Sequence, residues 1–417
     1  MDMKLFDQTA NTGRNDVNGN LGRTSSSEQT GQKNLSVVVL RTEESLVEYV
    51  TAWEDLAEQA LEPNVFYEPW MLLPAIRFLG KGKDLRFVLI VGDKHTAAIE
   101  PRVLYGFFAI ERKSRYKEAP VSFVQNWKHQ YCFLGTPLLR TGYAKEALAT
   151  FFDWAAKDRW SGGLVEFKYI TGDGPFYQAL IDEVNRRRYL TYLSESFTRA
   201  LFKLANDSKT YLRETLSSKR RHECRRQTRR LSEMGRLEMV ELDPQGDIQQ
   251  WAESFLLLEA SGWKGKEGSA MASQEATKTF FLTMATEGFR RGRLSMLGMR
   301  LDGQMIAQKC NLLSGPGGFA FKIGYDEQYA SYSPGLQLEV EHIERLHQQP
   351  RTQWIDSCAA ADHFMANLLW KNRRTINTVL VSTGKWPGDA MVTLLPLRRW
   401  LWRKLANMKL VSGDLGF

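Results

Sequence analysis

Apolar residues recur along this chain at two spacings, and the switches between them mark its elements. Val37, Val38, Val39 and Leu40 form a short apolar run that reads as a buried strand. Leu46, Tyr49, Val50, Trp53, Leu56 and Ala57, within residues 44–61, fall on one face of a helix. The pattern then predicts an aromatic loop over 63–70, a helix over 72–79, and strands over 85–92, 97–105 and 121–123. A helix over 143–160, a strand over 164–167, a helix over 175–188 and a strand over 198–204 complete an α/β alternation.

A second half begins at Asn206, Asp207 and Ser208, which are helix-capping residues. The basic stretch 211–234 reads as one long helix stopped by Gly235. A strand over 237–242 and helices over 248–261 and 277–288 follow, then three strands over 294–300, 305–313 and 318–323 with glycine turns between them. Pro334 opens a helix over 335–347, ahead of a strand over 354–357 and a helix over 364–370. The halves share an order of elements without a clear internal sequence repeat. The expected organisation is a disordered polar tail at 1–33, one lobe at 34–204, a second at 205–372, and a basic amphipathic segment at 373–417.

Composition narrows the class. Of 417 residues, 43% are hydrophobic and 25% charged, the balance of a folded chain and not of a disordered one. The tail lacks the charged-then-apolar pattern of a secretory signal, and no run approaches the roughly 18 apolar residues of a spanning helix. Cysteines 132, 224, 310 and 358 form no CxxC pair, which excludes a local disulfide framework or zinc knuckle and points to a reducing, cytoplasmic compartment. A net charge of +8 favours anionic partners.

Three segments carry candidate chemistry. Between Tyr325 and Leu336 a strand passes into a helix through Tyr332, Ser333, Pro334 and Gly335, and such a start presents backbone N–H groups to a pyrophosphate or oxyanion, unless Pro and Gly merely begin a packed helix. At the end of the 248–261 helix, Glu259 is a candidate general base or a surface carboxylate, and Trp263 and Lys264, flanked by Gly262 and Gly265, form a candidate ligand wall. Asp356 ends a strand, with Cys358 and His363 close behind; Asp orienting His is an acid/base arrangement, although a single His after a strand is more often structural. Residues 219–230 hold seven basic side chains on more than one helical face, suited to RNA or acidic lipid, or simply solvated. Residues 394–405 are basic and amphipathic and suit a peripheral membrane contact or packing on the second lobe.

The ordered set from Tyr211 to Trp370 resembles the bacterial GNAT-superfamily acyltransferases once described as cellulose-biosynthesis proteins. The matching features are the basic helix ending Arg229–Gly235, the Ser261-Gly262-Trp263-Lys264-Gly265 core, the Tyr325-Asp326-Glu327 turn, Tyr332–Gly335 and Asp356. The resemblance implies an α/β fold of two tandem GNAT-like lobes, with mixed, mostly antiparallel sheets flanked by helices. It implies acyl transfer, probably of acetyl, from acetyl-CoA or another acyl-CoA to the amine or hydroxyl of a small molecule or saccharide, without a metal. Tyr332, Ser333, Pro334, Gly335 and Leu336 then hold the cofactor, Trp263, Lys264 and Tyr325 the substrate, and Glu259, Asp356 and His363 are the catalytic candidates. The superfamily's glycine-rich phosphate loop keeps only Gly335 here. Alternative readings are tRNA-dependent aminoacyl transfer of the peptide-bridge type, with the basic helix on RNA, and a non-catalytic scaffold at a membrane-associated synthase.

Overall fold

The computed structural model describes residues 34–92, 103–397 and 400, apart from the side chains of Trp263 and Lys264. Its strands are β1 (Leu35–Leu40), β2 (Leu85–Gly92), β3 (Leu104–Lys113), β4 (Phe123–Asn126), β5 (Leu138–Leu139), β6 (Leu164–Thr171), β7 (Thr191–Lys203), β8 (Leu237–Glu241), β9 (Leu294–Leu301), β10 (Gln304–Ser314), β11 (Gly317–Tyr325), β12 (Trp354–Asp356) and β13 (Asn372–Ser382). They form one sheet in the order β1-β2-β3-β4-β6-β13-β7-β12-β11-β10-β9-β8, with β5 added beside β3.

Read inward from either edge, the sheet has the same pattern. β1, β2, β3 and β4 are antiparallel, β4 and β6 are parallel, and β6 meets β13 antiparallel. From the other edge β8, β9, β10 and β11 are antiparallel, β11 and β12 are parallel, and β12 meets β7 antiparallel. Each half is therefore completed by a strand from the other half, and β7 and β13 pair along the middle from Asn372↔Leu201 to Val381↔Thr191. The fold is mixed α/β, built of two like halves. The exchange joins the described residues into one compact unit.

Alternation in the strands sets the two faces. On β2 and β3, Phe87, Leu89, Phe107 and Ala109 enter a core shared with Trp53 and the helices Pro69–Leu79, Ile248–Ser261 and Glu275–Arg290. Val88, Ile90, Phe108 and Ile110 pack on the opposite face, against the helices Ala144–Lys157 and Pro175–Arg186. The first core joins the halves, with Phe280, Phe281 and Phe321 beside Tyr131 and Phe133.

The structure departs from the sequence expectations in several places. Of the strand expected over 97–105, residues 97–102 lie outside the described residues, and β3 runs from Leu104 to Lys113. The helix expected over 44–61 is two, Glu43–Val47 and Val50–Glu58. The helix expected over 211–234 is two, Ser208–Thr215 and Ser218–Ser232. Buried Leu216 is extended between them, and the Ser217 hydroxyl accepts the Arg220 amide at 3.3 Å as a new N-cap. Arg221 donates to the Arg213 carbonyl at 2.9 Å and also to that of Leu216, closing the end of the first helix. Finally, residues 372–382, expected within a C-terminal segment, are the central strand β13, and residues 388–397 form a helix on its outer face.

The parallel pairs mark where each half can open. In the first half β4 and β6 part after Gln125↔Glu166, and Asn126 fills the gap. Its Nδ2 donates to the Gly135 carbonyl at 3.0 Å and the Lys168 carbonyl at 2.9 Å, while its Oδ1 accepts the Lys168 amide. A Cβ on residue 135 would lie 2.1 Å from Asn126 Nδ2, so only glycine fits that closure.

Candidate active site

In the second half the corresponding gap stays open. β11 and β12 pair only over Gly317↔Trp354, Gly318↔Ile355 and Phe319↔Asp356, and beyond them lies a cleft of about 240 Å³. One wall is β11 from Ala320 to Ile323, the other the turn Ser357–Ala359 with His363, Met365 and Ala366; Phe133 comes from the first half.

A β-bulge shapes the first wall. The register of β10 against β11 moves from Cys310↔Lys322 to Asn311↔Ala320, so Phe321 is the extra residue. The bulge turns Phe321 and Lys322 to the same face. Phe321 stacks with Phe281, and Lys322 Nζ lies 5.3 Å from the Tyr131 ring centre and 2.5 Å from Glu259 Oε1. Glu259 is itself buried, its Oε2 accepting the Met271 amide at 2.9 Å. It stands behind Lys322, not on the surface.

A second ion pair closes the other side. Lys309 from β10 binds Glu339 from the helix Pro334–Gln348; both line the cleft and both are buried. Lys309 Nζ also lies 5.5 Å from the Trp370 ring centre. Burial opposes ionisation of Glu339, but Lys309 and neighbouring His342 outweigh it and hold the carboxyl down at about 2. His342 Nδ1 is 3.5 Å from Glu339 Oε1, and its Nε2 is 3.5 Å from Asn311 Nδ2. A folded-state value below the unfolded one means this carboxylate stabilises the fold above about pH 4.3 and loses that contribution as pH falls toward 2. Thermal melts between pH 6 and 3 are expected to show Tm falling below pH 4.5, and Glu339→Gln should flatten that slope.

Asp356, expected as a base, has another role. Arg199 on β7 and Arg374 on β13 are directly opposed, and like charges so placed repel. Asp356, fully buried, accepts from Arg199 Nη2 at 2.8 Å and from Arg374 at 2.7 Å; its Oδ1 takes the Cys358 amide at 2.9 Å and forms an ion pair with Arg199 Nε at 2.6 Å. Burial would raise its carboxyl, but the two guanidinium groups hold it below its ordinary value. A carboxylate so occupied does not collect a proton from substrate. Cys358, with φ 53°, lines the cleft, but burial drives its thiol well up, so it stays protonated.

His363 stands at the exposed mouth as N-cap of the helix Phe364–Leu369, its Nδ1 accepting the Ala366 amide at 3.3 Å. Tyr325 ends β11, two residues past Ile323 of the cleft wall, and Tyr332 ends the turn before the helix Pro334–Gln348. Ser333 is left-handed, with φ 51°, and its carbonyl takes the Leu336 and Gln337 amides at 3.0 and 3.1 Å. Pro334 brings no N–H, so the helix start offers an anion fewer donors than expected, Gly335 supplying the amide outside those contacts. The basic helix Ser218–Ser232 supplies charge instead. Arg220 lies 5.3 Å from the Phe364 ring centre, next to His363, and Arg230 5.4 Å from that of Tyr332, so the helix reaches from the His363 turn to the turn before Pro334. Trp263 and Lys264 are in a short helix, Trp263–Lys266, and their side chains lie outside the described residues.

Lys322, Lys309, Glu339 and His363 thus line one cleft, Glu259 stands behind Lys322, and Gly335 lies against Ile323 of the wall. Lys309, Lys322, Glu339, Tyr131 and Phe133 were not among the sequence candidates. The available signal was charge at inward positions: Lys309 and Lys322 interrupt apolar strands, and Glu339 shares the inner helix face with Leu338 and His342. Among the described residues no group of three or more His, Cys, Asp or Glu side chains could hold a metal ion.

Residues 218–365 match the model of a family described as an acetyltransferase (GNAT) domain. That match covers about a third of the chain. Among solved structures, a conserved protein of unknown function from Bacteroides thetaiotaomicron VPI-5482 is 10% identical, with 83% of this chain and 99% of that one covered and a TM-score of 0.50. FemX is 8% identical, with 82% and 96% covered and a TM-score of 0.50. A tandem GNAT protein from the clavulanic acid biosynthesis pathway is 13% identical, with 84% and 99% covered and a TM-score of 0.42. At these identities the likeness is one of fold alone. No curated protein matches the chain.

Proposed function

We propose that the chain transfers an acyl group from an acyl-CoA to an amine or hydroxyl, in the cleft between β11 and β12. The observation that carries this reading is the open splay beyond Phe319 and Asp356, in contrast to the first half, where Asn126 and Gly135 occupy the equivalent gap. Strand edges that have parted leave backbone groups for an extended, amide-containing arm, and the narrow volume suits such an arm. The anionic end of the donor meets Gly335 and the arginines of the Ser218–Ser232 helix at the mouth.

Lys322 stands at the bulge, where the strands part. As the acceptor attacks the thioester carbonyl, a bond forms from carbon to nitrogen or oxygen and the carbon–sulfur bond breaks, its electron pair leaving on sulfur. The Lys322 ammonium gives that sulfur a proton and takes one from the acceptor, so the lysine ends as it began. Glu259 holds the ammonium in place and is a positioning residue in this scheme. A saccharide or small amine is the acceptor class we favour. Release of free thiol from acetyl-CoA, followed with a thiol reagent across a panel of amines and hydroxyls, tests the reading; acceptor-dependent release supports it, and none with any acceptor counts against it.

A further inference from the structure

The helix at 388–397 presents a face that the acyl-transfer cleft does not explain. Its inner side is accounted for: Met391, Val392 and Leu395 pack on Tyr116, Phe123, Leu164 and Leu380. Its outer side carries Leu394, 57% exposed, and Leu397, 53% exposed, and the turn leading into it carries Trp386, 83% exposed. Leu190, 42% exposed, lies at the same end of the sheet, its carbonyl accepting the Ser382 amide at 2.9 Å. Leaving large apolar side chains in water is costly, and their concentration beside one short helix marks a contact surface.

The charge that follows this helix in the sequence selects the occupant. From Ala390 to Gly413 the sequence holds Arg398, Arg399, Arg403, Lys404 and Lys409 and no Asp or Glu. Tryptophan and leucine interleaved with cations are the composition of a helix that lies in the interface of a bilayer, where the apolar face enters the acyl boundary and the cations meet anionic headgroups. None of the described helices is long and apolar enough to cross a membrane, so the contact is a surface one.

We infer that the 386–397 face docks the protein on an anionic lipid surface. This inference does not depend on the acyl-transfer reading. The test is flotation of the full chain with phosphatidylcholine vesicles, with and without phosphatidylserine, alongside a Trp386→Ser, Leu394→Glu, Leu397→Glu variant. All three side chains are exposed, so the variant should keep its thermal melt, which is checked first. The expected result is recovery with serine-lipid vesicles at least tenfold above that with neutral ones, reduced to background by the triple variant. Absence of flotation with either vesicle overturns the inference, as does equal recovery of wild type and variant. Dimerisation in light scattering that the variant abolishes, without flotation, would assign the face to a second copy and would also overturn it.

Discussion

Replacing Lys322 by Met is expected to lower turnover by about 10²- to 10³-fold while leaving the KM for acyl-CoA within a few-fold of wild type. The magnitude is that of removing one preorganised donor from a site of developing charge. The bulge at Phe321 places Lys322 on the face it shares with Glu259 and Tyr131, and nothing else on the described wall of β11 carries a proton there. Glu259→Gln should cost less, because its one amide oxygen can still accept from Lys322, although the Met271 amide then loses its partner. Steady-state rates with saturating acceptor separate the two effects. Turnover at the wild-type level in Lys322→Met would remove the lysine from the mechanism.

The second large effect concerns stability. Asp356→Asn should destabilise the fold by about 3–5 kcal/mol, since it leaves the buried, opposed Arg199 and Arg374 without their counter-charge. The three residues come from β7 and β13, the strands that the two halves exchange, and from β12 beside β7, so the loss should appear as a lower midpoint for the whole unit and not as melting of one half. Denaturant unfolding followed by tryptophan fluorescence reads this directly. A midpoint unchanged from wild type would contradict the counter-ion role and reopen Asp356 as a candidate base.

Much of the second half was legible in the sequence because its elements are amphipathic in the ordinary way. The helix 248–261 and the strands near 294–301, 304–314 and 317–325 follow from periodicity and glycine turns. β13 was not legible. It opens with Asn372, Arg373 and Arg374, and its polar start is explained only by the distant Asp356 that receives Arg374. The strand exchange is likewise a long-range fact that no local window contains. The break at Leu216-Ser217 was hidden by a run of strong helix formers, and a serine cap overrode them.

In the site, of the residues singled out from local motifs, His363 lines the cleft, Glu259 stands behind Lys322 of its wall, and Gly335 approaches Ile323 of that wall. The ion pairs that furnish its chemistry were missed, because a lysine within a strand becomes informative only once its partner is known. Lys322 finds Glu259 from a helix 63 positions away in sequence, and Lys309 finds Glu339 from one 30 positions away. Asp356 was misassigned for the same reason: its arginines sit on strands far from it in the chain.

The account rests on the cleft between β11 and β12 receiving an acyl-CoA. Isothermal titration of the full chain with acetyl-CoA, beside an Ala320→Phe variant that fills the cleft wall, tests this most directly. Saturable micromolar binding, weakened at least tenfold in a variant whose melt is unchanged, is the predicted result. Failure of the wild type to bind acetyl-CoA or any longer acyl-CoA, or equal affinity in wild type and variant, would contradict it.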